Sequence, residues 1–279
     1  MKHSYKTRLA LCLLIIITGV FTGCDKQEDI VPDQLKALSV GEAKARKTTI
    51  YYGPATPVGK GTARTWVETN EKGEPLAVGV NLSDKAAATL PHEVTVYMLQ
   101  MPKNIKSVLY NFVMLDWNPA GHAPDHFYAS PHFDFHFYMA EEGDVLNIPS
   151  GLHAHTPEFE ANYVPADHVT GAGLANMGEA IPAMGVHWID ALSPELHGKA
   201  FTKTFIYGSY NNKVTFHEPM ITLAYLQELI LNEPVVTPVP QPKHVQMSGY
   251  HPQTYTIEHD GKQSAYKVSL SDLVYRKAQ

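Results

Sequence analysis

Ten residues near the middle of the chain, "PHFDFHFYMA" (131–140), alternate strictly between two kinds of side chain. Phe133, Phe135 and Phe137 fall on one parity, while His132, Asp134 and His136 fall on the other. Because successive side chains of a β-strand point to opposite faces, this segment predicts a strand with one phenylalanine face and one polar face. The phenylalanine face suits a core, and the polar face needs another explanation.

The rest of the chain has similar strand patterns. Alternating apolar segments separated by turn residues predict hairpins that turn at Asn211-Asn212 and at Asp260-Gly261. Apolar residues at helical spacing in "MITLAYLQELILN" (220–232) predict one main helix in the C-terminal third. The expected fold class is therefore α+β and mainly β, with an antiparallel sheet or a barrel-like domain.

The N-terminus has the features of an export signal. A basic head (Lys2, Lys6, Arg8) precedes a short apolar run, Leu9 to Phe21, which is too short for a membrane span of about 20 residues. The run ends at "FTGC", which resembles the lipobox of bacterial lipoproteins, with Cys24 as the lipidated residue. We expect a lipoprotein signal peptide over residues 1–23, the lipidated cysteine and a polar tether over 24–49, and a single β-rich domain over 50–279. Ordinary secretion with cleavage nearby is the alternative.

Charge and cysteine content restrict the function classes. Without residues 1–23 the chain keeps 19 basic and 28 acidic residues, a formal net charge of −9. A mildly acidic domain without a basic cluster is a poor nucleic-acid binder, so the expected membrane contact is the lipid alone. Cys12 would be removed and Cys24 acylated, which leaves no thiol for a disulfide, a zinc–cysteine site or a nucleophile.

Histidines are concentrated around the alternating strand. Clustered histidine and aspartate are typical of metal sites, although strand histidines also form ordinary hydrogen bonds within a sheet. Strand neighbours at i and i+2 lie about 7 Å apart and can share one ion, whereas i and i+4 lie about 13 Å apart. Asp134 can therefore join either His132 or His136, while the two histidines are a poor chelating pair on a regular strand.

Two resemblances bear on these residues. "PHFDFHFYMAEEGDVLNIPSGLHAH" loosely resembles the cupin pattern, which implies a jelly roll and would include His153 and His155. The ordered blocks "GEPLAVGVNL", "DWNPAGH", "PHFDFHFY", "MGVHW", "FIYGSY" and "EPMIT" resemble an uncharacterised family of exported bacterial proteins, a domain of unknown function. That resemblance implies a β-rich fold and no established activity. Its blocks contain His122, His187 and Glu218 together with the residues of the alternating strand.

These observations lead to a specific hypothesis. The metal ligands are expected among His122, His132, Asp134, His136 and His187, with His153 and His155 excluded. Glu218, held extended by Pro219, would be a general base, a ligand or a cap for the following helix. We expect a divalent metal, zinc being suited to such ligands, in an envelope protein capable of metal-dependent hydrolysis. The alternative is a non-catalytic module that binds a small molecule or a protein, or that forms a homo-oligomer.

Overall fold

A computed structural model describes residues 47–170 and 177–279. The predicted signal peptide, Cys24 and most of the tether lie outside the described residues, so those expectations stay predictions. The described residues belong to one compact unit, Arg46–Gln279. Its first strand begins at Thr49, next to the predicted domain start at residue 50.

Most of the described chain is organised in two antiparallel sheets. The first sheet has the strand order β1-β3-β4-β17-β16-β14, with β2 paired to β3. Its strands are β1 (Thr49–Tyr52), β2 (Thr56–Val58), β3 (Gly61–Thr69), β4 (Pro75–Ser83), β14 (Val235–Pro238), β16 (Thr254–Asp260) and β17 (Ala265–Ser271). Strand β17 brings the C-terminal part of the chain against β4, so both ends of the domain contribute to this sheet.

The second sheet is formed by the middle of the chain. Its strand order is β5-β6-β7-β13-β12-β11-β10-β8, with β9 paired to β11. Its strands are β5 (Thr95–Gln100), β6 (Phe112–Asn118), β7 (His132–Tyr138), β8 (Gly151–Ala154), β9 (His168–Thr170), β10 (Met177–Ile181), β11 (Gly185–Asp190), β12 (Lys203–Tyr210) and β13 (Lys213–Thr222). The alternating segment is therefore the interior strand β7.

Helices are short throughout the described residues. They are α1 (Asp84–Ala87), α2 (Asp125–Tyr128), α3 (Glu142–Leu146), α4 (Pro157–Tyr163) and α5 (Leu223–Gln227), with a 3₁₀ turn at Pro194–His197. Strands β15 (Gly249–His251) and β18 (Val274–Arg276) form a separate pair. None of the helices in the described parts of the chain combines the length and the apolar character that crossing a membrane requires.

The predicted fold class, α+β and mainly β with antiparallel sheets, is confirmed. The two sheets are open and do not close into a barrel, which corrects the barrel-like alternative. The predicted main helix forms at the expected place but spans only the five residues of α5. Its expected start belongs to β13, and Leu231 beyond it makes a β-bridge with His259. Tertiary pairing of the flanking residues thus overrides the helical periodicity.

The hydrophobic core contains residues from both sheets. Phe133, Phe135 and Phe137 of β7 are at most 1% exposed and share this core with Val80 and Val268 of the first sheet. The phenylalanine face of the alternating strand is therefore the core face, as predicted. The histidine and aspartate side chains of β7 lie on the opposite face of the second sheet.

A single hydroxyl caps the helix that follows β13. Thr222 is the N-cap of α5, and its hydroxyl oxygen accepts a hydrogen bond from the Tyr225 amide. We expect Thr222→Ala to lower the free energy of unfolding by about 1 kcal/mol, because a helix N–H loses its partner. Thr222→Ser keeps the hydroxyl and is the matched control in urea titrations. Equal losses in the two variants would contradict the capping role.

Candidate metal centre

The polar face of β7 lies in the interior of the second sheet, between β6 and β13. The β6–β7 register places Asn118 opposite His132 and Asp116 opposite Asp134. On the other side, β13 pairs Phe216 with Tyr138 and Met220 with Asp134, and Glu218 between them lies beside His136. Antiparallel pairing therefore gathers polar residues from three strands, distant in sequence, onto one patch that faces away from the main core.

Two small apolar clusters flank this patch. One contains Phe112, Met114, Tyr138, Val145 and Phe216. The other contains Tyr128, Ile189, Phe201, Ile206 and Met220. These clusters remove the patch from water, so that Asp134, His136 and Glu218 are at most 3% exposed.

Three residues at one end of the patch form what we call the first group: His122, His132 and Asp134. The Nε2 atom of His132 lies 3.1 Å from Asp134 Oδ1, and the Nε2 atom of His122 lies 3.3 Å from Asp134 Oδ2. His122 comes from the loop after β6, which turns at Gly121 with a positive φ of 73°. Its side chain is 40% exposed, whereas that of His132 is buried.

The hydrogen bonds of the first group orient the histidine rings. A backbone carbonyl can only accept, so Nδ1 of His132 donates to the Ser130 carbonyl (2.6 Å) and Nδ1 of His122 donates to the Ala123 carbonyl (2.8 Å). Each Nε2 atom then faces the carboxylate in one of two states. In a charged ring it carries a proton and donates to the carboxylate, and in a neutral ring its lone pair can bind a cation together with the carboxylate. An Nδ1–H held by a carbonyl is the usual arrangement of a metal-binding histidine.

The aspartate of the first group is fixed as an anion. Burial alone would raise the pKa of Asp134, but the adjacent His122 and His132 rings outweigh burial and lower it well below its usual value. Burial likewise opposes a charged His122, yet Asp134 raises the pKa of this ring. The Asn118 side chain also donates to Asp134 Oδ2 (2.7 Å) and fixes its orientation. The site therefore stabilises a positive charge beside Asp134.

The second group is formed by His136, His187 and Glu218. Glu218 lies between the two rings, with Oε1 3.5 Å from His136 Nε2 and Oε2 3.6 Å from His187 Nε2. Phe216 packs edge-on against both rings, at centroid distances of 4.9 and 5.0 Å. A Cβ atom at Gly208 would come within 2.0 Å of the Phe216 ring, so glycine there allows this packing.

The second group combines two uncharged rings with a carboxylate whose ionisation is energetically unfavourable. Burial lowers the pKa of His136 to about 4 and that of His187 to about 3, so both rings are neutral at pH 7. Burial, with Asp134 and Asp116 nearby, raises the pKa of Glu218 well above its usual value. This carboxylate needs a proton or a cation, and a divalent ion can supply the charge.

Asp116 is a third buried carboxylate on the patch that the sequence reasoning did not include among the ligands. Its Oδ2 atom lies 3.8 Å from His136 Nδ1, and its Oδ1 atom has no hydrogen-bond partner. Burial, then the neighbouring Asp134, raises its pKa well above the usual value. The signal in the sequence was "LDWN", where Asp116 and Asn118 share one face of β6.

Comparison with protein-family models, with curated proteins and with solved structures gives no match. Two ligand atoms, each about 2.0–2.1 Å from a tetrahedral ion, lie about 3.3 Å apart. The nitrogen–oxygen distances within the two groups are 3.1, 3.3, 3.5 and 3.6 Å.

Buried polar atoms without a hydrogen-bond partner are also consistent with an ion at each group. Among the buried side-chain atoms without a hydrogen-bond partner are Nε2 of His132, Oδ1 of Asp134, both ring nitrogens of His136 and Oε2 of Glu218. A buried polar atom left unpaired costs about 1–3 kcal/mol. The ion-pair contacts recorded for these carboxylates in the described residues are all with histidines. Two sets of two histidines and one carboxylate could thus each hold a metal ion.

The structure distributes the predicted residues differently from the single site we expected. His132 and His136 lie in different groups, and Asp134 joins His132. Glu218 lies within β13 rather than at the helix cap, since Thr222 caps α5. His153 and His155 lie on and after β8, where His155 bonds Ser209 and His153 accepts from the Asn211 amide.

Proposed function

We propose that this chain is a divalent-metal-binding protein of the bacterial cell envelope, anchored by a lipid at Cys24. The observation that supports metal binding most directly is the placement of two imidazole nitrogens against one buried carboxylate in each group. Nitrogen and carboxylate-oxygen ligands in this number favour zinc. Envelope location is supported by the N-terminal sequence, and membership of the exported family by the sequence blocks.

The metal would do hydrolytic chemistry. The three protein ligands of each group would leave one position of a bound zinc ion open, and the ion would supply the Lewis-acid chemistry that activates water near neutral pH. One histidine of each group reaches the surface, since the side chains of His122 and His187 are 40% and 21% exposed. Water and substrate can approach along these rings. Glu218, expected as a general base, is better placed to be a ligand of the second group.

Titration of the metal-free domain with zinc tests the proposal. We expect two ions per chain by calorimetry and elemental analysis, because each group supplies a complete set of three ligands. Calcium, which takes six to eight oxygen ligands, is the control ion and should not compete at equal concentration. A chain that binds no zinc after removal of any affinity tag would overturn the proposal.

A non-catalytic ligand-binding module is the second candidate. A cavity of about 610 Å³ lies between α4 and the segment around Gln241 and Lys243, with Trp188 and His168 in its wall. Its size is within the range of small-molecule sites, and Trp188 offers an aromatic surface. Small-molecule binding that quenches tryptophan fluorescence in the metal-free domain would favour this candidate. Protein partners and a homo-oligomer stay predictions.

A further inference from the structure

The two groups lie close enough to act on the same molecule. Asp134 of the first group and His136 of the second are i and i+2 on one face of β7, about 7 Å apart. Asp116 lies between the two groups, because the β6–β7 register places it opposite Asp134 and its Oδ2 atom lies 3.8 Å from His136 Nδ1. Ions at the two groups would therefore share one buried environment.

The charges on this patch do not balance when both groups are loaded. Asp116, Asp134 and Glu218 contribute at most three negative charges, whereas two divalent ions contribute four positive ones. The neutral imidazole rings contribute no charge. A net positive charge in a buried environment is costly, so the loaded patch favours a bound anion, whether hydroxide or an oxyanion of the substrate.

Two tyrosine hydroxyls on the patch also have no partner. Tyr128 and Tyr138 are at most 1% exposed, and neither hydroxyl forms a hydrogen bond in the described structure. They belong to the two flanking clusters, one at each side of the patch. A phenol hydroxyl is a hydrogen-bond donor, so each of these tyrosines can stabilise an acceptor that enters the patch.

From the unbalanced charge and the two unpartnered hydroxyls we infer that the metal-loaded patch binds a small oxyanion, held by the two ions and by Tyr128 and Tyr138. The inference rests on the proposed metal binding and specifies the substrate class: the reacting molecule carries a phosphate-type or carboxylate group. It enters beside His122 and His187, the less buried ring of each group.

Calorimetry in two stages tests this inference. The domain is first titrated with zinc, and the loaded domain is then titrated with inorganic phosphate and, in a separate arm, with acetate. We expect binding of at least one anion to the zinc-loaded domain and none to the metal-free domain. The preferred arm identifies a tetrahedral or a planar oxyanion.

Variants without the hydroxyls separate anion binding from metal binding. Tyr138→Phe and Tyr128→Phe keep the aromatic packing and should still take up two zinc ions. Each should weaken the bound anion about tenfold, the effect of one hydrogen bond to a charged group. Tyr275→Phe is the control, because Tyr275 is exposed on β18.

Failure to bind zinc would overturn the proposed function. Normal zinc uptake without anion binding, or anion binding unchanged in both variants, would overturn this inference alone.

Discussion

Replacing Asp134 with alanine is expected to reduce the bound zinc from two ions per chain to one. Asp134 is the only carboxylate of the first group and contacts both of its histidines. Changes to residues that merely orient a ligand cost about 10–100-fold in metal affinity, so the loss of the central ligand should exceed 100-fold. Elemental analysis after dialysis against a weak competitor gives the stoichiometry directly.

Two control variants make this result specific. Glu218→Ala should empty the second group and leave the first, because no residue is shared between them. The double variant His153→Ala/His155→Ala should keep both ions, since these rings bond Ser209 and the Asn211 backbone. Metal loss in the double variant with full retention in Asp134→Ala would refute the assignment of the groups and favour the cupin-like arrangement.

In the metal-free domain, three buried histidines outside the patch are together expected to contribute a loss of about 3 kcal/mol in the free energy of unfolding between pH 6.5 and 5.5. Burial is the main cause that lowers the pKa of His217 to about 3, and those of His155 and His168 to about 4. These three rings stay neutral in the folded state, whereas in the unfolded chain they take up protons below about pH 6.5. Stability is therefore full above that pH and lost as pH falls toward the folded values, by about 1.4 kcal/mol per pH unit for each proton.

Urea unfolding at several pH values with a chelator present measures this loss. His217→Leu should decrease the pH slope by about one proton even though it weakens the domain, because Tyr110 loses the ring nitrogen it bonds at 2.8 Å. His92→Asn, a change at an exposed histidine, is the matched control. A free energy of unfolding that stays constant or increases with acidification would contradict the account.

The local pattern of β7 could be read from the sequence because a strand has a period of two and each face of this segment is chemically uniform. The same argument showed that His132 and His136 could not easily share an ion. Which of them Asp134 joins could not be read, because that depends on the rotamers and on the loop that delivers His122. The structure shows that the Ser130 and Ala123 carbonyls fix the ring orientations.

The differences between the sequence-based predictions and the structure arise mainly from contacts between strands that are distant in sequence. Asp116 was not among the expected ligands, whereas β6 pairs directly with β7 and places it opposite Asp134. Glu218 could equally have been a helix cap, and only the length of β13 excludes that role. The helix at α5 was overestimated because the periodicity of apolar residues does not reveal that Leu231 pairs with His259. Register and pairing across the sheet are set by the whole fold.

Proline in the middle of β13 leaves a gap in the backbone ladder. The β12–β13 register is continuous through Glu218 and Pro219, but the β7–β13 pairing is interrupted at the same two residues. Proline has no N–H to donate, so the seam between β7 and β13 is weakest at the level of the second group. Local opening, and with it amide hydrogen exchange, should begin at this seam. An ion held between His136 and Glu218 would join the two strands through their side chains at the level where backbone pairing is interrupted. It would therefore stabilise the sheet against local opening at this seam.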